Sequence, residues 1–543
     1  MDFFQRLCYN AYERNPKEIG MKNIRLATSM IFDFICIPTQ LEYFEYNAFR
    51  FTPEQKSALE KIKELLDEEL DKSFYSFSTL CDIVAVYLPS PETATLDELY
   101  NMFLNMDDVE KVCREKITNE FTLSYTLSLV QQIKNGGDKI IRNQIRAFQR
   151  IGFEELWREY ILPHEEAHIQ RLEDAYRNTN TDEIFRIINA LKAHPVKDPT
   201  VYISLMSNPI SFTLPDIGFV HAVFYDPREY NGGFLSNIAH ELIHGFSSNK
   251  VTKYYSDFVG STPYLSATHR YLIEDMHSGN EEEHTMAAEY YTMWKSGAMA
   301  KEHILNSGLR RYGGCVPLSL YLFGKMTEED GEIADYNSWL EGKYSCGTFD
   351  ANEVPHYIDT MLPTPQTDKQ AMDQIIARLT RISFFVRGEE NTASDAFVER
   401  ICARLNGSFV PNPATALNFG NSIALPCDMR RQILVSDGIT VEAVAYDSIE
   451  DALSFDFERV GAKVETPRHH DGEDYPLAHS YAFIFKNGSP MRVELTFVLN
   501  TTRFFITSVV DPQPVKDNID LAALVIPQWS EVLDAFDRID HLF

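Results

Sequence analysis

Residues 235–246 read Leu-Ser-Asn-Ile-Ala-His-Glu-Leu-Ile-His-Gly-Phe. At about 100° per residue, His240 and His244 lie roughly 40° apart on one helix face, one turn from each other. Two imidazoles so placed can reach one metal ion at a Zn–N distance of about 2.0–2.1 Å. Glu241 sits about 100° round the helix. That is too far for a third ligand, but within reach of water bound at the metal. Leu235, Ile238, Ala239, Leu242 and Phe246 recur at helical spacing and form an apolar stripe beside the polar one. Ligands on such a seam would be held rigidly.

A structural zinc site takes four protein ligands, whereas a catalytic one takes three and water. The search for a third leads to residues 282–294, Glu-Glu-His-Thr-Met-Ala-Ala-Glu-Tyr-Tyr-Thr-Met-Trp. Here Met286, Tyr290, Met293 and Gly297 mark the inner stripe of an expected helix over Glu281 to Leu305. Glu289 borders that stripe, and Glu282 lies on the same side one heptad earlier. An acid beside a buried stripe is costly unless it is paired or coordinated. Both glutamates are therefore candidate ligands; Glu281 points further outward.

His-Glu-Leu-Ile-His followed by a helix with Ala-Ala-Glu-Tyr-Tyr resembles the gluzincin zinc metallopeptidases. The closest likeness is to their anthrax lethal factor-like branch, and the separation of 45 positions from His244 to Glu289 suits that branch. The likeness covers roughly residues 195–310. It implies a zincin-like fold, zinc held by His240, His244 and Glu289, and Glu241 as general base. The chain departs from the branch at two places. Its tyrosine one heptad before the glutamate ligand is Glu282 here, and the acid four residues after that ligand in many gluzincins is Met293 here. Tyr312, beside Gly313-Gly314, is the candidate for the missing phenol. Tyr290, Tyr271 and His303 are further candidates. Asp275 or Glu282 could orient a ligand histidine.

A second His-x-x-x-His spelling, His164-Glu165-Glu166-Ala167-His168, follows Pro163. It is read as an ordinary helix start, with Pro163 at the first position and two acids facing the positive end of the helix dipole. His469-His470-Asp471 is read as a solvated turn.

The rest of the chain frames this centre. Acids outnumber bases 80 to 50 in 543 residues, a formal charge of −30. Such a balance argues against nucleic acid or an anionic membrane as partner, because phosphate must be neutralised by Lys and Arg. The eight cysteines form no C-x-x-C pair, which suggests reduced thiols in a cytoplasmic protein. No basic leader with an apolar core opens the sequence, and no 18-residue uncharged apolar run occurs.

The expected class is α+β in three parts. Residues 1–195 form a mainly helical region, with helices over Phe51 to Asp71, Ser124 to Ile151 and Glu165 to Tyr176. Residues 196–362 form the zincin-like catalytic domain. It has short strands at Val201–Met206, Ile210–Leu214 and Ile217–Phe224, the last being the expected edge for an extended peptide. Pro363-Thr364-Pro365 is a linker. Residues 368–543 form an α+β domain with helices at Gln370–Arg381, Ala396–Leu405 and Leu521–Leu542. Its strands are Gln432–Val435, Thr440–Tyr446, Ser480–Phe485, Arg492–Leu499 and Phe504–Val510, with Asn487-Gly488 as a turn.

The function expected is that of a zinc-dependent peptidase acting on a peptide or protein substrate. The alternative is a non-catalytic interaction protein that retains a zinc site. Nothing in the sequence sets the oligomeric state.

Overall fold

The computed structural model describes residues 23–42, 51–66 and 77–365, except 119, 178, 180, 193–196, 208–209, 215–216, 224–228, 275–277 and 310. Beyond these it describes 374, 377–378, 381, 394–411, 430–448 without 437, 479–509 without 487–488 and 500, and 538–539. The chain divides into two compact units. One is Met1–Thr252 with Ala288–Met299 and Glu329–Gly342; the other is Lys253–Ala287, Ala300–Glu328 and Lys343–Phe543.

The first unit is built on a four-stranded sheet in the order β1-β2-β4-β3, with β1 Arg25–Thr28, β2 Thr200–Ser204, β3 Phe212–Leu214 and β4 Gly218–Ala222. β1, β2 and β4 run parallel, and β3 is antiparallel to β4. Every residue of β2 and β4 is buried, as expected for strands covered on both faces. The register sets Gly218 opposite Thr200. A Cβ on Gly218 would lie 1.9 Å from the Thr200 carbonyl oxygen, so only glycine lets these strands pair here. Two readings change. β1 comes from residues 25–28, within the region read as helical. β4, expected to be the free edge, pairs on both sides, which leaves β1 and β3 at the edges.

Helices fill out this unit. Thr52 caps Pro53–Leu65 by accepting from the Gln55 N–H, as the Thr-Pro-Glu-Gln start predicts. The expected helix from Ser124 to Ile151 is two helices, Glu120–Gln132 and Asp138–Arg150, because Asn135 and Gly136 leave helical dihedrals between them. Phe34, Phe148 and Phe153 meet edge to face in the core.

The second unit holds helices Pro263–Glu274, Lys301–Gly308, Pro317–Thr327, Val354–Met361 and Ser394–Leu405. It also holds a six-stranded antiparallel sheet in the order β5-β6-β7-β10-β9-β8. These strands are β5 Val410–Pro411, β6 Arg430–Ser436, β7 Ile439–Ala445, β8 His479–Lys486, β9 Ser489–Leu499 and β10 Thr502–Val509. β6 to β10 match the five expected strands to within a few residues. The Asn487-Gly488 turn and His469-His470-Asp471 lie outside the described residues. So do most of Gln370–Arg381 and all of Leu521–Leu542 but two residues.

The α+β class therefore holds. The cysteines among the described residues are all free thiols. No helix among those residues is long and apolar enough to cross a membrane.

Candidate metal centre

The helix Gly233–Ile243 carries the His-Glu-Leu-Ile-His run. It ends where His244 takes the C-cap, with ψ 151°, and Gly245 follows at φ +76°, a left-handed stop that glycine adopts without strain. The second histidine thus sits at the helix end rather than inside it. Lys192 closes that end: its ammonium donates to the carbonyl oxygens of Leu242, at 2.6 Å, and His244, at 3.1 Å. A cation on the last carbonyls satisfies orphan acceptors and opposes the negative end of the dipole. Sequence reasoning missed Lys192, which lies 50 residues upstream of Leu242 with no pattern linking them.

His240 and His244 meet through their Nε2 atoms, 3.1 Å apart. Their rings stand nearly perpendicular, with centroids 4.8 Å apart. The opposite nitrogen of His240, Nδ1, donates to Glu289 Oε2 at 2.9 Å. Ser236, one turn before His240, donates its hydroxyl to the other oxygen of the same carboxylate. With Nδ1 protonated in this way, neutral His240 turns a lone pair outward at Nε2. This is the tautomer and ring setting that a metal-ligating histidine needs. His240, Glu241 and Glu289 are all buried, and such groups require partners or a counter-ion. His240 and His244 belong to a group of side chains able to hold a metal ion. In this arrangement Glu289 grips the back of His240.

Glu289 rides on the helix Glu282–Lys295. That helix is shorter than expected. It stops at Lys295 and the next begins at Lys301, with Gly297 left-handed between them. Its residues before Ala288 belong to the second unit, where the other acids have partners of their own. Tyr312 donates its hydroxyl to Glu282 Oε1 at 2.9 Å. Burial and the neighbouring Glu282 push that phenol well above its usual range. Tyr312 also holds φ +49°, an uncommon setting for a bulky residue. Glu283 accepts from the Tyr255 hydroxyl at 2.8 Å and the Leu318 N–H at 3.0 Å. Burial pushes its carboxyl up to about 7. Tyr290 and Tyr271 are buried, His303 is exposed, and Asp275 lies outside the described residues.

The second His-x-x-x-His run behaves differently from its reading. Pro163 does fall in the first turn of Leu162–Tyr176, and Glu166 is exposed. Glu165, however, is fully buried, and its carboxyl accepts from the Leu205 N–H at 2.7 Å. It shares its surroundings with Asp33, which accepts from Ser204 Oγ at 2.6 Å, Trp157 Nε1 at 2.7 Å and the Met206 N–H at 3.3 Å. Burial raises both carboxyls. The three donors on Asp33 favour its charge, so Glu165 holds the proton of the pair. His168 is fully buried as well.

No family model, curated protein or solved structure matches this chain.

Proposed function

We propose that the chain is a zinc-dependent peptidase. One observation carries this reading: His240 and His244 bring their Nε2 atoms together while a buried carboxylate fixes the far nitrogen of His240. His240 and His244 would hold the ion. Glu289 and Glu282, on one helix, compete for the third position; the resemblance favours Glu289, which reaches the ion only by leaving His240 Nδ1 and Ser236. Two imidazoles and a carboxylate suit zinc. When bound, zinc supplies Lewis acidity that polarises a carbonyl and acidifies water.

The protein's own part is proton handling and placement. Glu241 takes the proton of the attacking water and delivers it to the leaving amine as the peptide C–N bond breaks. Tyr312 is the phenol nearest in kind to the one expected. It acts on substrate only after exchanging its hydrogen bond to Glu282. An extended substrate would pair with β3, the antiparallel edge of the sheet.

That same Tyr312–Glu282 bond favours a second reading, a zinc-holding protein without turnover, because the phenol is already committed to a carboxylate. Glu241→Gln separates the two. The amide keeps size and polarity but cannot serve as a base near neutral pH. For a peptidase, hydrolysis of a diverse peptide library falls by ~10²–10⁴-fold or more while zinc content and fold are retained. A wild-type chain that holds zinc fully and cleaves nothing establishes the second reading instead.

A further inference from the structure

A second cluster of metal-type donors lies wholly within the first unit. His168 on Leu162–Tyr176, His221 on β4 and Glu229 in the short turn Glu229–Asn231 are all buried, at 0%, 2% and 5% exposure. Both imidazoles direct Nε2 at one atom. His168 Nε2 lies 3.0 Å from Glu229 Oε1, and His221 Nε2 lies 2.6 Å from the same oxygen. The donor atoms of the three side chains all fall within 4.8 Å of one another. The second carboxylate oxygen, Oε2, is buried with no hydrogen-bond partner among the described residues.

The outer partners explain how the rings are set. Nδ1 of His221 faces Asn237 Oδ1 at 2.9 Å, and Nδ1 of His168 faces the Tyr230 hydroxyl at 3.3 Å. Asn237 Oδ1 can only accept, so Nδ1 of His221 carries the hydrogen. In a neutral imidazole that leaves a lone pair at Nε2, aimed at a carboxylate oxygen. Two acceptors at 2.6 Å need a positive charge between or upon them. Either an added proton or a metal ion supplies it. The partnerless Oε2 discriminates: a proton on each ring satisfies Oε1 alone, whereas a metal ion engages both carboxylate oxygens.

We propose that His168, His221 and Glu229 form a structural site for a divalent transition metal of the zinc class. Three protein ligands are the number a catalytic centre uses, but all three side chains are buried, so no substrate reaches the ion and its role is structural. Its anchor points define its work. Glu229 also accepts from the Tyr176 hydroxyl through its backbone carbonyl, and that hydroxyl accepts from the Gly232 N–H at 2.9 Å. Gly232 caps the helix that bears His240, and Asn237 lies on that helix. The ion would brace the entry to the His240–His244 helix against helix Leu162–Tyr176 and β4. His168 closes the second His-x-x-x-His run, but its fellow ligands come from elsewhere in the chain.

The test uses the full chain with zinc(II) alone as probe. In His240→Ala/His244→Ala, which removes the first site, one zinc per chain should remain after dialysis. X-ray absorption should show two imidazole nitrogens and carboxylate oxygen around it. Adding Glu229→Gln should abolish that zinc and the rise in melting temperature it causes. A double variant that binds none overturns the proposal and leaves the cluster held by a proton. If the double variant fails to fold, stoichiometry decides in the wild-type background. Glu229→Gln should hold one zinc fewer than wild type, and equal zinc overturns the site. Peptide hydrolysis does not enter either measurement, so this outcome is independent of the peptidase reading.

Discussion

Glu289 accepts a hydrogen bond from His240 Nδ1, the nitrogen farther from His244. A carboxylate in this position sets the tautomer of a ligand, and removing such a support costs roughly 10–100-fold in metal affinity. Glu289→Ala should therefore weaken zinc binding by at least about that factor, and far more than Glu282→Ala does. Competition against a chromophoric chelator measures both. Equal or reversed losses leave Glu289 only as the support of His240, transfer the ligand role to Glu282 and undo the lethal factor-like alignment.

Zinc should also stabilise the fold, because the folded chain alone gathers these donors. At free zinc 100-fold above its dissociation constant, the gain is about 2.7 kcal/mol per site. Thermal unfolding with and without chelator reads it directly. A purified protein that contains no zinc, and melts at the same temperature when zinc is added, rules out the metal reading.

Glu283 gives stability a pH dependence of definite sign. Its carboxyl is raised from an ordinary 4.5 to about 7 by burial. Between those values the folded state binds more protons than the unfolded one. Its contribution to stability is therefore full below about pH 4.5 and is lost as pH rises to about 7. Glu283→Gln keeps an acceptor oxygen for the Leu318 N–H, turns the Tyr255 hydroxyl into an acceptor of its amide, and removes the titration. Urea unfolding across this window should show a shallower pH slope in the variant; an unchanged slope would show that Glu283 ionises normally.

Trp157→Phe tests the buried acid pair in the first unit. It deletes the indole donor to Asp33 and keeps most of the ring. A hydrogen bond to a charged group contributes about 1.5–3 kcal/mol, so the variant should lose stability of that order. A loss below about 0.5 kcal/mol would mean that Asp33 is not ionised there.

The parts of this molecule that could be read from sequence are those set by neighbours a few residues apart. The His240–His244 spacing, the Thr52 cap and the alternating strands of the second sheet are of this kind. The parts that escaped are set by contacts across long stretches of chain. Lys192 on the end of the His240 helix, the convergence of His168 with His221 and Glu229, and the strand at 25–28 leave no local signature. β4 was misread as an edge for the same reason. Its apolar run says that it is buried, and only the sheet order says that it has a neighbour on each side. Glu165 was read as an acid facing a helix dipole because a proline and a helix start account for it fully at short range.

The pairing of Arg25–Thr28 with Thr200–Ile203 has a consequence for synthesis. Some 175 residues separate the partners. At about 5–20 residues per second the first strand emerges roughly 9–35 s before the second exists. During that interval β1 has no strand to lie against, and parallel pairing offers it no local hairpin as a substitute. The His240 helix follows β4 in the chain, so every strand of its supporting sheet has been synthesised before that helix. Deleting residues 23–28 would leave β2 as a bare parallel edge in the finished protein, a template for self-association that Arg25–Thr28 covers in the native fold.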